Sequence, residues 1–484
     1  MDKKRSLGVN AALNAFKSGL AILFPLITYP YVFRVLHTEG VGKVNYAASI
    51  ISYFALIAAL GFPTYAVREG AKLREQPEKL GCFCNQIFTA NIITTVFAYG
   101  ALLVALVFLK PLREYRVLLL VSSLSIAFAT FSVDWINTIF EDFLYITIRS
   151  IVTYALSLIL LFVLVKSEDD YLKYAFLTVA TSGIVCILNW IYCRKYVRVK
   201  ITRRLNLKNH SRSVLRFFAN SVATSIYVNS DITMLGYFSG DHAVGLYALA
   251  VKVYNVVKTM LAAMYTVAIP RLSFFVGQND TANVKKLFTT IFSSLTIVLL
   301  PAGVGLAVIA REVVLIMGGP EYLDATFTLQ ILSIALVGAI FGGAVTYCLN
   351  IPLGREKYNV RATVMSALLN LVCNVFMIPL FKHNGAAITT AVAEFFVLFY
   401  SISMFENIVE YLDIKAWRRS LMQALIGCIM ILIVAIAIKC MVENAVVRIS
   451  LIIAISILLY GIELVITKNE LAGRILQRLN FKKQ

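Results

Sequence analysis

Eight polar or charged side chains sit inside stretches of sequence that are otherwise apolar, and their types suit them to carry a charged cargo. The cations are Lys17 and Arg34 near the start and Lys252 and Lys258 in mid-chain, with Asn255 between the two lysines. The acids are Asp134, Asp231 and Glu394. Ionisable groups in hydrocarbon are rare unless they serve a function. A cation at depth suits an anionic head group, and arginine meets a phosphate through its planar, bidentate fork. A carboxyl at depth can hold a proton or a coupling cation. Each residue also has a plainer reading. Arg34 and Lys17 lie close enough to the ends of their apolar stretch to snorkel to the interface. Asp134 and Glu394 can simply bond a neighbouring helix. Lys252, Asn255 and Thr259 share one helical face at the i, i+3, i+7 spacing. Asp231 and Lys252 flank one turn at similar depth, ~12–14 Å at ~1.5 Å per residue. They either neutralise one another or face a cavity together.

Other chemistries lack their residues. No GxxxxGK[ST] occurs: Gly42-Lys43 runs into Val44 without the upstream glycine, so no phosphate-cradling loop for ATP is expected. HExxH and GxSxG are missing too. The eight cysteines (Cys82, Cys84, Cys186, Cys193, Cys348, Cys373, Cys428, Cys440) and four histidines are scattered, without zinc-ligand spacing. Packing is the expected role of the thiols. The residues therefore point to a transporter, neither an enzyme nor a protein with a bound cofactor.

The elements that position these side chains follow from composition. Of 484 residues, 60% are apolar and 15% charged, against roughly 45–50% and about 25% in soluble domains. A helix needs about 20 apolar residues to cross a bilayer, and the continuous runs here do not alternate as barrel strands would. The expected fold is an all-α polytopic membrane protein. Fourteen spans are predicted: 11–36, 44–66, 85–109, 117–140, 145–165, 174–193, 217–238, 244–269, 287–310, 325–347, 362–381, 385–405, 420–438 and 449–466. With the N-terminus inside, Lys and Arg concentrate on the cytoplasmic side, leaving Lys17, Arg34, Lys252 and Lys258 as the cations within spans. The net charge of +19 is thus topogenic. Its densest stretch, Arg194 to Arg216, has no room for a nucleic-acid recognition fold. An even number of spans returns both termini to the cytoplasm. The first stretch, which contains Lys17 and Pro25, reads as a span and not as a cleaved signal. Pro25, Pro30 and Pro301 are expected to kink their helices.

The halves echo one another. Val41-Gly42 in the run Glu39-Gly40-Val41-Gly42-Lys43-Val44 aligns with Val244-Gly245 in His242-Ala243-Val244-Gly245-Leu246-Tyr247, an offset of 203 (244 − 41). Pro63 with Arg68 and Pro270 with Arg271 close the two following helices. Six spans per repeat puts both halves in one orientation. The organisation expected is a six-helix bundle over 1–193, a basic cytoplasmic linker over 194–216, a second six-helix bundle over 217–405, and two further helices with a cytoplasmic tail over 406–484.

The run Phe24-Pro25-Leu26-Ile27-Thr28-Tyr29-Pro30-Tyr31-Val32, then Arg34-Val35-Leu36, Glu39-Gly40, Gly42 and Val44-Asn45, resembles the Wzx-type polysaccharide (O-antigen) flippases. These lie within the multidrug/oligosaccharidyl-lipid/polysaccharide exporter superfamily. Leu60-Gly61-Phe62-Pro63-Thr64-Tyr65 with Val67-Arg68-Glu69 is similar to the same family. So are Asp134-Trp135, Glu141, Tyr145-Ile146-Thr147-Ile148-Arg149, and Asp231 with Met234-Leu235-Gly236. The likeness covers most of the chain and is strongest over 20–75. Where the family commonly has Gln-Gly before the acidic residue, this chain has Thr138-Ile139, which takes weight from Glu141.

The resemblance implies a protein of the bacterial inner membrane that moves an undecaprenyl-diphosphate-linked oligosaccharide from the cytoplasmic to the periplasmic leaflet. It implies alternating access between two bundles and drive by an ion gradient or membrane potential; the protein acts either alone or beside a polysaccharide polymerase and chain-length regulator. On that reading Arg34, Lys17, Lys252, Lys258 and Asn255 meet the diphosphate, while Asp231, Asp134 and Glu394 couple or gate. Two alternatives stand: a cation-coupled multidrug exporter of the same superfamily, and a membrane-embedded glycan polymerase, which the short outside loops count against.

Overall fold

In hydrocarbon every backbone N–H and C=O must be satisfied within its own segment, so long apolar runs fold as helices. The computed structural model describes residues 7–203, 205, 207–405, 407–469 and 473; the side chains of 7–18, 21–23, 207–212 and 220 lie outside the described set. The described residues form an all-helical polytopic membrane fold with no strands. Ten helices are long and apolar enough to cross a membrane. The chain divides into two compact units, Met1–Gly245 and Leu246–Gln484.

Three of the long helices carry a single non-helical residue each. Leu7–Ala59 breaks at His37 (φ 55°, ψ −175°) and Leu207–Thr266 breaks at Gly240 (φ 79°, ψ −179°). Glu356–Ser403 breaks at Lys382 (φ 50°, ψ −129°). Every break falls in a gap between two predicted spans. Pro25 and Pro30, and Pro301 in Thr281–Val308, lie within helical backbone, and the non-helical residue of Leu7–Ala59 is His37.

In the first unit, Pro77–Phe108 packs on Leu7–Ala59, and Arg116–Ser132 packs on Tyr171–Tyr192. One apolar cluster joins Phe62, Tyr65, Phe83, Ile87 and Phe88 to Trp135, Ile136 and Ile139. Those last three belong to the short Asp134–Ile139 helix, so burial of its apolar side fixes Asp134 in place. The 203-residue echo has a physical counterpart here. A Cβ on Gly42 would overlap the Asp241 carbonyl, and one on Gly245 would overlap the Thr38 carbonyl. Thr38 Oγ1 also shares a 2.8 Å hydrogen bond with His242 Nδ1.

In the second unit, Ala325–Val345 packs on Glu356–Ser403, and Thr281–Val308 on Ile414–Met441. The Lys382 break turns Glu356–Ser403 into a hairpin. Ser366 Oγ donates to the Ala393 carbonyl at 2.9 Å, and Asn374 Oδ1 accepts from Thr389 across it. A Cβ on Gly338 would stand 2.8 Å from the Phe395 amide, so only glycine lets this helix approach the backbone beside Glu394.

Candidate functional site

The predicted 117–140 span is not continuous. Arg116–Ser132 ends at Val133, which is left-handed (φ 42°, ψ 35°), and Asp134–Ile139 follows as a separate turn of helix. Glu141 is left-handed too (φ 55°), and Asp142 caps Phe143–Leu164 by accepting from the Tyr145 amide at 3.3 Å. Irregular backbone within a span survives where protein groups or a water-filled cavity satisfy it, and discontinuous helices are where transporters build their sites.

Polar side chains gather at this interruption. Arg149 Nη1 donates to Asp134 Oδ1 at 2.7 Å and to Asn189 Oδ1. Asn189 Nδ2 donates to the same Asp134 oxygen at 3.0 Å and to Ser132 Oγ at 2.8 Å, and Asn137 Nδ2 donates to Asn189 Oδ1 at 3.2 Å. The Arg149 side chain is 7% exposed, whereas that of Asp134 is 47% exposed. Three buried atoms around the pair have no hydrogen-bond partner among the described residues: Arg149 Nε, Asn137 Oδ1 and the Tyr145 hydroxyl. The arrangement holds a cation inside and turns a carboxylate outward.

At the edge of this unit Asp142 Oδ2 accepts from Tyr192 at 2.6 Å and from Tyr196 at 2.7 Å. Burial pushes its carboxyl up, but those hydroxyls, the Tyr145 amide and Lys195 more than offset it and hold Asp142 below the usual range. Tyr145 stacks on Tyr192 at 3.6 Å and Phe140 on Tyr196 at 4.2 Å. Glu141 faces outward and meets Arg74 at 3.3 Å.

In the second unit, Lys258 Nζ donates to Glu394 Oε1 at 2.5 Å, and the Tyr254 hydroxyl donates to the same oxygen at 2.9 Å. Lys258 also lies 5.3 Å from the centroid of the Tyr254 ring. Glu394 is 7% exposed and Lys258 32% exposed. Tyr247 and Thr390 share a 3.0 Å hydrogen bond. Tyr247, Tyr254 and Lys258 thus form one helical face at i, i+7, i+11, set against Thr390 and Glu394. On the limb before the Lys382 break, Asn374 Nδ2 donates to Asn370 Oδ1 at 3.1 Å, and Thr389 Oγ1 donates to Asn374 Oδ1 from the other limb.

The sequence-predicted residues therefore fall in different places. Lys258 and Glu394 come together, as do Asp134 and Arg149. Asn255 and Thr259 are exposed, Thr259 Oγ1 donating to the Asn255 carbonyl at 2.7 Å, and Lys252 is half-buried. Asp231 is buried in the first unit, beside Ser230. Arg34 is exposed, three residues before the His37 break. The Lys17 side chain lies outside the described residues. Arg149 is a correction: it lies within the predicted 145–165 span and within Phe143–Leu164, so Lys17, Arg34, Lys252 and Lys258 are not all of the cations within spans. Its signal was the spacing to Asp134, the one acid in the preceding span. Asn189, Asn370, Asn374 and Thr389 were not singled out at all; several amides within apolar helices were the available sign. Among the described residues no group of three or more His, Cys, Asp or Glu could hold a metal ion.

The family described as polysaccharide biosynthesis protein matches residues 7–276. This chain belongs to that family. The resemblance to polysaccharide flippases carried by residues 20–75 is borne out. A relative from Shigella dysenteriae, named for O-antigen transport, is 24% identical over 374 residues, covering 76% of this chain and 91% of its own. Among solved structures, the lipid II flippase MurJ in an inward closed conformation superposes with a TM-score of 0.74 at 16% identity, over 96% of this chain and 99% of its own. An inward-facing multidrug resistance MATE family transporter, itself of the MOP superfamily, gives 0.54 at 11% identity, over 79% and 97%. These likenesses establish the fold.

Proposed function

We propose that this member of the polysaccharide biosynthesis family is a flippase for undecaprenyl-diphosphate-linked oligosaccharide repeat units, moving them from the cytoplasmic to the periplasmic leaflet of a bacterial inner membrane. The observation that carries the reading is the Shigella relative, named for O-antigen transport and aligned over 91% of its own length. Three broken helices, each counted as two spans, the short Arg116–Ser132 and the other long helices support fourteen crossings. The proposed organisation is two six-helix bundles, 1–193 and 217–405, joined by the basic 194–216 linker and followed by two helices within 406–484, with both termini cytoplasmic.

The chemistry asks for a path that lets a sugar head and a diphosphate through while the polyprenyl tail stays in lipid. Arg34, Lys17, Lys252, Lys258 and Asn255 would meet the diphosphate, which competes with a carboxylate for a cation at depth. Lys258, held by Glu394, is the clearest such cation: a phosphate that draws it away frees Glu394 to take a proton or another cation. Asp134 and Asp231 would couple or gate in the same way, drawing on an ion gradient or the membrane potential and not on ATP. A polymerase and a chain-length regulator would take the product onward.

Deleting the gene should strip polysaccharide from the cell surface and leave lipid-linked repeat units in the cytoplasmic leaflet, with the wild-type chain restoring both. Normal surface polysaccharide in the deletion strain, together with export of a fluorescent cationic drug by the purified protein, would replace this reading with a drug exporter. In reconstituted vesicles Asp134→Asn should abolish dependence on a pH gradient; unchanged dependence removes Asp134 from coupling.

A further inference from the structure

A basic hollow of about 440 Å³ lies in the second unit, beside the start of Ile414–Met441 and the end of Ala445–Ile466. Lys415, Arg418, Arg419, Met422, Gln423, Ile426 and Thr467 line it. The three cations follow the i, i+3, i+4 spacing, so they share one helical face. Its wall is braced: Arg419 Nη2 donates to the Thr467 carbonyl at 2.8 Å, and Gln423 Nε2 donates to Thr467 Oγ1 at 2.7 Å. Asn469 Nδ2 closes the brace on Gln423 Oε1 at 2.6 Å. Neither Lys415 Nζ nor the Arg418 guanidinium has a partner among the described residues. The nearest acid in sequence, Asp413, is engaged elsewhere, capping the helix through the Lys415 and Ala416 amides at 3.0 and 3.2 Å.

Depth and shape identify the occupant. The three cations fall within the first six residues of Ile414–Met441, and on the opposite face of the same turn the Trp417 indole ties the helix to Thr296 Oγ1 at 3.0 Å. Below the cations the face turns apolar and stays exposed through Met422, Ile426, Ile429, Ile433 and Ile436. That stripe runs ~21 Å at ~1.5 Å per residue, enough to line an acyl chain through one leaflet. A phosphate-sized cluster of charge above a chain-length apolar stripe has the outline of a phospholipid. At about 440 Å³ the hollow has room for a phosphoglycerol head group.

We propose that this face is a binding site for an anionic phospholipid of the cytoplasmic leaflet, its phosphate on Lys415, Arg418 and Arg419 and an acyl chain along Met422 to Ile436. Basic pockets between helices on the cytoplasmic side take such head groups. The site is separate from the transported lipid and does not depend on what the protein transports.

Native mass spectrometry of the detergent-purified chain titrated with phosphatidylglycerol or phosphatidylcholine tests this. Phosphatidylglycerol should stay bound to the wild type, and K415Q with R418Q together should weaken it about thirty-fold. Phosphatidylcholine should bind both proteins equally weakly, and K415R should retain phosphatidylglycerol. M422Q, which leaves the charges in place, should also weaken it and serves if the double variant fails to fold. Equal phosphatidylglycerol retention by wild type and folded variants would overturn the proposal. So would its displacement by inorganic phosphate, which marks a soluble-anion site, or preferential displacement by undecaprenyl diphosphate, which marks a substrate site.

Discussion

The two units each hold an acid–base pair within the span region, and the pairs are built the opposite way round. In the first, Arg149 is sunk at 7% exposure while Asp134 stands 47% exposed. In the second, Glu394 is sunk at 7% while Lys258 stands 32% exposed. One unit therefore turns a negative group outward and the other a positive one. The buried members also differ in kind. A guanidinium keeps its charge in any setting, whereas a carboxyl can discard its charge by taking a proton. The Arg149 pair is tied further by Asn189, and the Glu394 pair by the Tyr254 hydroxyl.

This asymmetry can be broken by substitution. Asp134→Ala strands a buried arginine and should cost about 3–5 kcal/mol, read as a lowered thermal midpoint in detergent; Arg149→Met, which leaves a half-exposed acid, should cost less. If the two variants lose the same stability, the arginine is not the group that needs its partner. Lys258→Met should cost about 1–3 kcal/mol, less than Asp134→Ala, because the cation it removes is 32% exposed and Glu394 keeps the Tyr254 hydroxyl.

A further buried acid sharpens the contrast. Glu312 is 3% exposed and sits between Arg448 at 3.0 Å and Lys439 at 3.2 Å. Burial pushes its carboxyl up, but its own backbone amide, Arg448 and Lys439 outweigh that and hold it below the ordinary 4.5. A depressed folded-state value means the stabilisation is complete above about pH 4.5 and fades as pH falls through the folded value. Arg448→Gln should therefore cost about 1–2 kcal/mol at neutral pH, and the gap to wild type should close in acid unfolding curves. A gap constant with pH would assign the loss to packing.

The smallest effect concerns the helix breaks. His37 and Gly240 have nearly the same dihedrals, in a region that glycine enters freely and histidine does not. His37→Gly should raise stability by about 1 kcal/mol, and Gly240→His should lower it comparably, both read from thermal midpoints.

Much of the fold was legible because the solvent is hydrocarbon. Apolar runs give helices, and the gaps at 37–43, 239–243 and 382–384 coincide with the breaks at His37, Gly240 and Lys382. The interruption at Val133 was not legible, since neither glycine nor proline stands there and a β-branched residue is the least expected left-handed residue. Lys258 and Glu394 could each be picked out as charges in oil, but 136 residues separate them and no local pattern joins them. The shared face of Lys252, Asn255 and Thr259 was sound helical geometry. It could not reveal that Lys258 and Tyr254, not Asn255, turn toward Glu394, because lipid and protein core favour the same side chains. Arg149 was passed over because its span was drawn only four residues ahead of it.

The Glu312 cluster also bears on how the chain is made. Its carboxylate leaves the ribosome 136 residues before Arg448, so for that interval a folding intermediate carries an acid whose counter-ions have yet to be synthesised. Lys439 is made first and Arg448 completes the cluster, so a chain cut short before Arg448 leaves Glu312 with at most its Lys439 contact.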